Sequence, residues 1–285
     1  MANLKDIRNR IKSVQSIQQV TKAMKMVAAA KLVKSQQKME RARPYENKLV
    51  TLIQSLLVDI NTLSLDALEK RDVKKICVVA VTGDRGLAGS FNINIIKETE
   101  RIINSVGKEN VTLICIGKKG FEYFKKRDFE IHEYFLDFWN ELDYQKVILM
   151  GEKIINLFLN KSVDKIQVVY NFFENVGSQS VKSEQLLPIT YNQDETIKHN
   201  VEKLYEPSKQ KIVETLIPKH LNVQIWKYLL ESFASEQAAR MVAMENATEN
   251  SKDMIKSLKL EFNKARQAAI TTEMLEIVSG AEALN

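Results

Sequence analysis

The sequence predicts two long terminal helices, paired as an antiparallel coiled coil, with a small α/β domain between them. Helix breakers are concentrated in the middle of the chain, where eight of the nine glycines lie between Gly83 and Gly177. A run of 61 residues from Lys219 to Ser279 contains neither glycine nor proline. At ~1.5 Å per residue, an unbroken helix of that length would extend ~90 Å. In the central region, short β-branched runs alternate with helical patterns, which is typical of an α/β sheet.

The first arm, residues 1–70, is predicted to be helical because it lacks glycine and proline as far as Pro44, after which apolar residues resume helical spacing. Its leading apolar residues are Leu4, Ile7, Ile11, Val14, Ile17, Val20, Met24 and Val27. Their spacings of 3, 4, 3, 3, 3, 4 and 3 depart from a strict heptad. The contact face of this arm is therefore expected to drift around the helix.

The second arm, residues 208–285, carries a clearer heptad pattern. Its predicted seam is Leu230, Ala234, Gln237, Met241, Met244, Thr248, Ser251, Ile255, Leu258, Phe262, Ala265 and Ala269. These spacings alternate four and three throughout, and small or polar residues in the middle allow a partner helix to approach closely. The favoured partner is the first arm, because the intervening domain can return the chain. Spacing alone also allows a helical bundle or a self-dimerising coiled coil.

The central region, residues 71–207, is predicted to form a small, mostly parallel, Rossmann-like sheet. Its strand candidates are Ile76–Thr82, Val111–Ile116 and Lys165–Phe172, and its helix candidates are Asn92–Ile103 and Tyr144–Leu159. Strand and helix alternate, which favours parallel pairing. The segment from Gly177 to Pro207 has few core signals and is expected to be surface loop with one edge strand.

Two glycine-containing turns resemble ligand-binding loops, but their contexts differ from those loops. The turn Gly83–Ser90 follows the first strand and opens a helix, yet it matches neither GxGxxG nor GxxxxGK[ST], which favours a structural turn over a phosphate site. Gly117–Gly120 reads GKKG, similar to the clamp of KH domains, but it directly follows a strand. No catalytic signature, cofactor motif or metal-ligand spacing is present, and both cysteines, Cys77 and Cys115, lie in apolar runs typical of a core.

The positive charge of the chain is concentrated in its first arm. The formal net charge is +6, and residues 1–48 contain twelve Lys or Arg against three acidic residues. A basic helical arm suits nucleic acid, an anionic membrane surface or an acidic protein partner, and composition does not choose among them. A basic coiled-coil protein that binds nucleic acid is therefore an alternative hypothesis.

Both arms resemble one family, the gamma subunit of F-type ATP synthases. In the first arm the matching residues are Arg10–Val14 and Thr21–Leu32. In the second arm they are Glu231-Ser232, Ser235-Glu236, Ala239–Met241, Ala243-Met244, Ala247-Thr248, Asn250, Asn263, Arg266–Ala268, Ile270-Thr271, Glu273 and Glu276–Ala281. A match this specific at both ends makes the resemblance stronger than any single motif.

The resemblance implies a central rotor shaft that has no catalytic site and no cofactor of its own. The coiled coil would enter the ring of α and β subunits, and the α/β domain would contact the epsilon subunit and the c-ring. Proton-driven rotation would then be coupled to ATP synthesis or hydrolysis on the β subunits. The resemblance also implies a bacterial protein held peripherally at the cytoplasmic face of the inner membrane, with no nucleic-acid partner.

The resemblance further implies which residues contact the β subunits: Met24, Lys25, Arg266, Gln267, Thr271 and Glu273. The central turn of the family commonly reads Ser/Thr-Asp-Arg-Gly-Leu-Cys-Gly, and here Asp84, Arg85, Gly86 and Leu87 match it. Gly83 and Ala88 depart from that pattern.

Overall fold

A computed structural model describes residues 4–57, 66–69, 71–140, 142–190, 206 and 208–282. In chain order the elements are α1 (Leu4–Leu57), β1 (Ile76–Val81), α2 (Phe91–Val106), β2 (Val111–Ile116), α3 (Lys118–Lys125), β3 (Ile131–Phe135), α4 (Tyr144–Leu159), β4 (Lys165–Phe173), β5 (Gln179–Leu187) and α5 (Lys209–Glu282). The predicted fold class, two long terminal helices around a mostly parallel sheet, is confirmed. Within the described ranges, none of the helices combines the length and apolarity that crossing a membrane demands.

The chain divides into two compact units, and each long helix contributes to both. One unit consists of Met1–Ala28 with Arg240–Asn285, and the other of Ala29–Ala239. The predicted domain boundaries after residues 70 and 207 fall on positions outside the described residues. The three-part division of the chain therefore stays a prediction.

The five-stranded sheet has the order β3-β2-β1-β4-β5, and only β5 runs antiparallel to its neighbour. The central strand β1, with the sequence ICVVAV, is buried at every position, as expected for a parallel strand covered on both faces. Two elements were not predicted, α3 and the edge strand β3. Their sequences are short, and the sequence of β3, IHEYF, does not alternate strictly between apolar and polar residues, which makes a weak strand signal.

Each face of the sheet packs on its own apolar layer. Helix α2 supplies Phe91 and Ile95 to one face, together with Phe124 of α3. The other face packs on α4 and on the first part of α5, through residues such as Met150 and Leu229. Cys77 and Cys115 are fully buried, in opposite layers. They are core residues, as the sequence predicted.

The contact stripe of α1 keeps a strict heptad, so the predicted drift is wrong. A series that includes all of its buried positions alternates spacings of four and three: Ile7, Ile11, Val14, Gln18, Thr21, Lys25, Ala28, Leu32, Ser35, Met39, Ala42, Glu46, Leu49, Ile53 and Leu56. Further half-buried residues, such as Met24 and Ala29, flank this series. Ile17, Val20 and Val27, which suggested the drift, are 53%, 58% and 56% exposed. In its middle the seam instead includes small residues such as Thr21, Ala28 and Ser35, which let two helix backbones approach closely.

Within the unit of Met1–Ala28 and Arg240–Asn285, the two arms pair antiparallel. Val14 packs with Ile255 and Leu258, and the hydroxyl oxygens of Thr21 and Thr248 lie 2.8 Å apart. A later residue of α1 thus contacts an earlier residue of α5, which is the pattern of two antiparallel helices. The predicted seam of α5 is buried or half-buried from Leu230 to Ala265, and only its last member, Ala269, is exposed.

Candidate functional site

The turn that follows β1 is held by hydrogen bonds to α2 and α3. The backbone N–H of Gly83 donates to Asn92 Oδ1 (2.8 Å), and its carbonyl accepts from the Lys119 N–H (3.0 Å). The Asp84 carboxylate accepts from the backbone N–H of Lys118, the first residue of α3, at 2.9 Å. A carboxylate from the turn therefore occupies the N-terminus of α3, and the backbone groups of Gly83 are already used in contacts with α2 and α3. This geometry supports the structural interpretation of the turn.

The two glycines of the GKKG sequence let α3 approach the end of β1 closely. Gly117 has φ +93°, and a Cβ atom there would lie 2.0 Å from the Thr82 carbonyl oxygen. The N–H of Gly120 donates to Thr82 Oγ1 at 2.9 Å, inside the core. Both glycines are thus engaged in packing against β1. This motif offers no open clamp for a nucleic-acid backbone.

Two residues of the same turn point outward. Leu87 has φ +62° and is 64% exposed, and Arg85, two residues earlier in the sequence, is also exposed. Placing a leucine backbone in the left-handed region costs roughly 1–2 kcal/mol of folding free energy. A side chain this exposed gains little burial energy to offset that cost. Ala88, at the family's cysteine position, is buried. The matched residues therefore split into Asp84, which has a structural contact, and three exposed residues, Arg85, Gly86 and Leu87.

Helix α5 fills the crevice at the carboxyl ends of β1 and β4, where doubly wound sheets bind their ligands. Trp139 Nε1 donates to the Thr82 carbonyl at 2.9 Å, and its ring stacks on Phe233 with centroids 5.8 Å apart. The Ser235 hydroxyl donates to the Asn171 carbonyl at 3.1 Å. All of these side chains except Phe233, which is half-buried, are buried. The space that a cofactor would need is occupied by the chain itself.

Glu236 lies close to Gly83, the residue that departs from the family's turn. Its side chain is 3% exposed, and a Cβ atom added to Gly83 would lie 2.8 Å from Glu236 Oε1. Glycine therefore lets the carboxyl group approach the turn backbone more closely than another residue would. The sequence analysis did not identify these crevice residues. The available signal was the run of polar residues Glu231-Ser232 and Ser235-Glu236 on a helix face that otherwise reads as core.

The predicted contact residues of the first arm are half-buried within their own unit. Lys25 Nζ lies 2.6 Å from Glu245 Oε1, and this ion pair joins α1 to α5. Met24 precedes it on the same turn and is also half-buried. The charge of Lys25 is therefore already balanced within the chain, whereas the Met24 side chain is partly accessible.

The predicted contact residues of the second arm, Arg266, Gln267, Thr271 and Glu273, are all exposed. The Thr271 hydroxyl donates to the Gln267 carbonyl at 2.9 Å, which is a local helix contact. Large apolar side chains in the same stretch are 50–66% exposed: Ile270, Met274, Leu275, Ile277 and Val278. A helix end with this much uncovered apolar surface is typical of a segment that packs against a partner.

The described residues contain no arrangement suited to metal or thiol chemistry. No group of three or more His, Cys, Asp or Glu side chains among them is placed to hold a metal ion. Burial raises the pKa of the Cys77 and Cys115 thiols to about 12, so both stay protonated and unreactive near neutral pH.

Comparisons with known proteins decide the family. The family model described as ATP synthase matches residues 3–284. The ATP synthase gamma chain of Prosthecochloris aestuarii is 48% identical over 292 residues, covering 100% of this chain and 99% of that one. This chain belongs to the ATP synthase gamma chain family. The gamma chain of Cytophaga hutchinsonii is 46% identical over 294 residues, with both chains covered completely.

Solved structures agree with this assignment. A chain from the Tetrahymena thermophila mitochondrial ATP synthase central stalk and c-ring has a TM-score of 0.63 and 26% identity, covering 80% of this chain and 99% of that chain. A chain from the Euglena gracilis mitochondrial ATP synthase has a TM-score of 0.70 and 24% identity over 99% of this chain and 94% of that chain, which supports the fold. Gamma chains are the central-stalk subunits of F-type ATP synthases. The alternative of a nucleic-acid-binding coiled coil is not supported.

Proposed function

We propose that this chain is the rotor shaft of a proton-driven F-type ATP synthase and carries no catalytic site of its own. The observation that carries the proposal is the last part of α5, where Arg266 to Val278 are exposed and include five large apolar side chains. Burying such side chains in a surrounding ring would contribute roughly 1.5–3 kcal/mol each. The ring of α and β subunits is the partner that fits this surface.

The filled crevice supports a transmitting role rather than a reacting one. Trp139 and Phe233 occupy the position where a doubly wound sheet would bind a nucleotide. The Asp84 carboxylate lies at the α3 N-terminus and would repel a phosphate. The sheet contacts the helix α5 instead, so a torque applied to the α/β domain has a direct route into that helix.

The predicted contact residues take complementary roles in this proposal. Arg266, Gln267, Thr271 and Glu273 contact β-subunit loops, and Met24 and Lys25 contact the β subunits from the first arm. As the shaft turns, each of three equivalent β subunits meets a different side of it. Contacts that differ among the three shift each nucleotide site between conformations in turn, because a partner biases an equilibrium only through differential binding.

The α/β domain would contact a different set of partners, the epsilon subunit and the c-ring. Exposed Arg85 and Leu87 in the central turn are candidates for a contact with a neighbouring subunit. The chain would then be held peripherally at the cytoplasmic face of the bacterial inner membrane, through the assembled complex.

The test is direct observation of rotation in the assembled complex. Lys97 is exposed on α2, and Lys97→Cys gives a single reactive thiol because Cys77 and Cys115 are fully buried. A bead attached at this cysteine, with the complex fixed to a surface through its β subunits, should turn in one direction when ATP is added. The chain without Lys97→Cys should bind no bead and serves as the control. ATP hydrolysis by complexes whose tightly attached beads stay still would refute the rotor proposal.

A further inference from the structure

A group of ionisable side chains lies buried where α5 packs on β4 and β5, apart from the residues proposed to contact other subunits. Its centre is Glu231 on α5, which is 8% exposed. Within the described part of the chain, Glu231 Oε2 has no hydrogen-bond partner. A buried carboxylate oxygen without a donor is costly, whereas a protonated carboxyl carries no charge to desolvate.

The nearby hydrogen-bond donors are committed mainly to a second carboxylate, Glu184 on β5. The Tyr170 hydroxyl donates to Glu184 Oε1 at 2.8 Å, and the Tyr228 hydroxyl also bonds to Glu184. Tyr170 lies within hydrogen-bonding reach of Glu231 as well, but a phenol has a single proton to donate. Ionised Glu231 would therefore compete with Glu184 for that proton and repel its charge.

The nearby cations do not remove this conflict. Lys227 Nζ is paired with Glu46 Oε1 of α1 at 2.8 Å, and Lys182 of β5 lies over the Phe172 ring at 3.4 Å. His220 of α5 is buried, and burial lowers its pKa, so it is neutral near pH 7. Three carboxyl groups thus share two ammonium groups: the carboxyl groups belong to Glu46, Glu184 and Glu231, and the ammonium groups to Lys227 and Lys182.

We propose that Glu231 is a proton-operated latch between α5 and the edge formed by β4 and β5. With its carboxyl protonated, the contact stays closed. With its carboxyl ionised, the side chain moves toward water, and the contact between α5 and this edge opens more often. The inference concerns the stiffness of the chain itself and does not depend on the proposed rotor function.

The direction of the pH effect follows from linkage. Burial first, and the Glu184 charge in addition, raises the pKa of Glu231 from its ordinary value of 4.5 to about 7, although Lys227 opposes the shift. The closed contact therefore binds the proton more tightly than the open one, and its stability falls as pH rises from about 4.5 through 7. For these two pKa values, the opening equilibrium should increase about tenfold between pH 6 and pH 8.

The experiment is hydrogen–deuterium exchange of the full-length chain at pH 6 and pH 8, corrected for the intrinsic pH dependence of amide exchange. Amides of α5 around Tyr228 to Glu236 and of β5 should lose about tenfold of their protection at pH 8. Glu231→Gln keeps the size of the side chain but removes the titrating carboxyl group, so amide protection in this variant should not change with pH. Glu214→Gln, at an exposed carboxyl on the same helix, is the matched control and should keep the wild-type pH dependence.

Two results would overturn the latch. One is protection in the wild-type chain that is the same at both pH values. The other is a pH dependence that persists in Glu231→Gln. Because a substitution in a core can prevent folding, infrared detection of the protonated carboxyl in the wild-type chain provides a second test. Loss of a buried carboxyl C=O band between pH 6 and pH 8 is expected, and an unchanged spectrum would contradict the assignment.

Discussion

The double substitution Arg266→Ala with Gln267→Ala should separate coupling from folding. Both side chains are exposed on α5, and the ion pairs found among the described residues do not include Arg266. Ala265, which precedes them, is half-buried at the end of the seam. Removing the two polar side chains therefore leaves the paired part of the helices unchanged. Alanine also has the highest helix propensity, so the helix should persist.

The double substitution should have a small effect on stability and a large effect on activity. The free energy of unfolding should change by no more than ~0.5 kcal/mol, the usual range for exposed surface sites. An arginine that bonds to a β-subunit carboxylate or carbonyl, with the neighbouring amide, would supply two hydrogen bonds of ~1.5 kcal/mol each. If they form mainly in the rate-limiting rotational state, their loss slows turnover more than tenfold, because ~1.4 kcal/mol corresponds to a factor of ten.

The assay is steady-state ATP hydrolysis and proton-driven ATP synthesis by the reconstituted complex. Rates are normalised to the amount of assembled complex on a native gel. Lys97→Ala, which removes an exposed charge from α2, is the control and should keep wild-type rates. Wild-type rates in the double variant would refute the assignment of these two residues. Reduced assembly with normal turnover per complex would show that they serve binding rather than coupling.

Four further substitutions, in three experiments, test the packing and the exposed turn described above. Gly117→Ala should destabilise the full-length chain by about 3 kcal/mol in urea denaturation, since it adds positive-φ strain and a clash with Thr82; an unchanged midpoint would contradict the close approach. Thr21→Val and Thr248→Val, measured singly and together, should show an interaction energy of ~1 kcal/mol, and strict additivity would exclude a hydrogen bond between the hydroxyls. Leu87→Gly should leave stability within about 0.5 kcal/mol, because relief of strain offsets glycine's backbone entropy, but should slow ATP-driven proton pumping; normal pumping would remove Leu87 from the subunit contacts.

The long helices and the seam of α5 were predictable because their signals are local and repeated. The absence of glycine and proline over Lys219–Ser279 and the heptad spacing from Leu230 act along one helix, and each turn adds the same evidence. The seam of α1 was harder to predict, since Gln18, Thr21 and Lys25 occupy heptad positions without being apolar. Only the position of the partner helix shows that these residues belong to the contact.

The crevice residues were not predictable from pattern because their neighbours are distant in the sequence. Trp139 stacks on Phe233, and Glu236 lies against Gly83, so each contact joins segments about a hundred residues apart or more. The polar residues within α5 interrupt a face that otherwise reads as core, but their own helix does not show which distant groups they contact. Their burial depends on the return of the chain to the carboxyl ends of β1 and β4.

By itself, the sequence determined the helical arms, the mostly parallel sheet and the family, since helix propensity, hydrophobic period and motif matches are properties of short segments. Tertiary structure alone decided that α5 fills the ligand crevice, that Asp84 caps α3, and that Glu231 lies beside Glu184 without a donor of its own. The physical reason is that close approach, burial and the pKa of a carboxyl depend on which distant atoms surround a side chain. Those neighbours are set only when the strands and helices pack together.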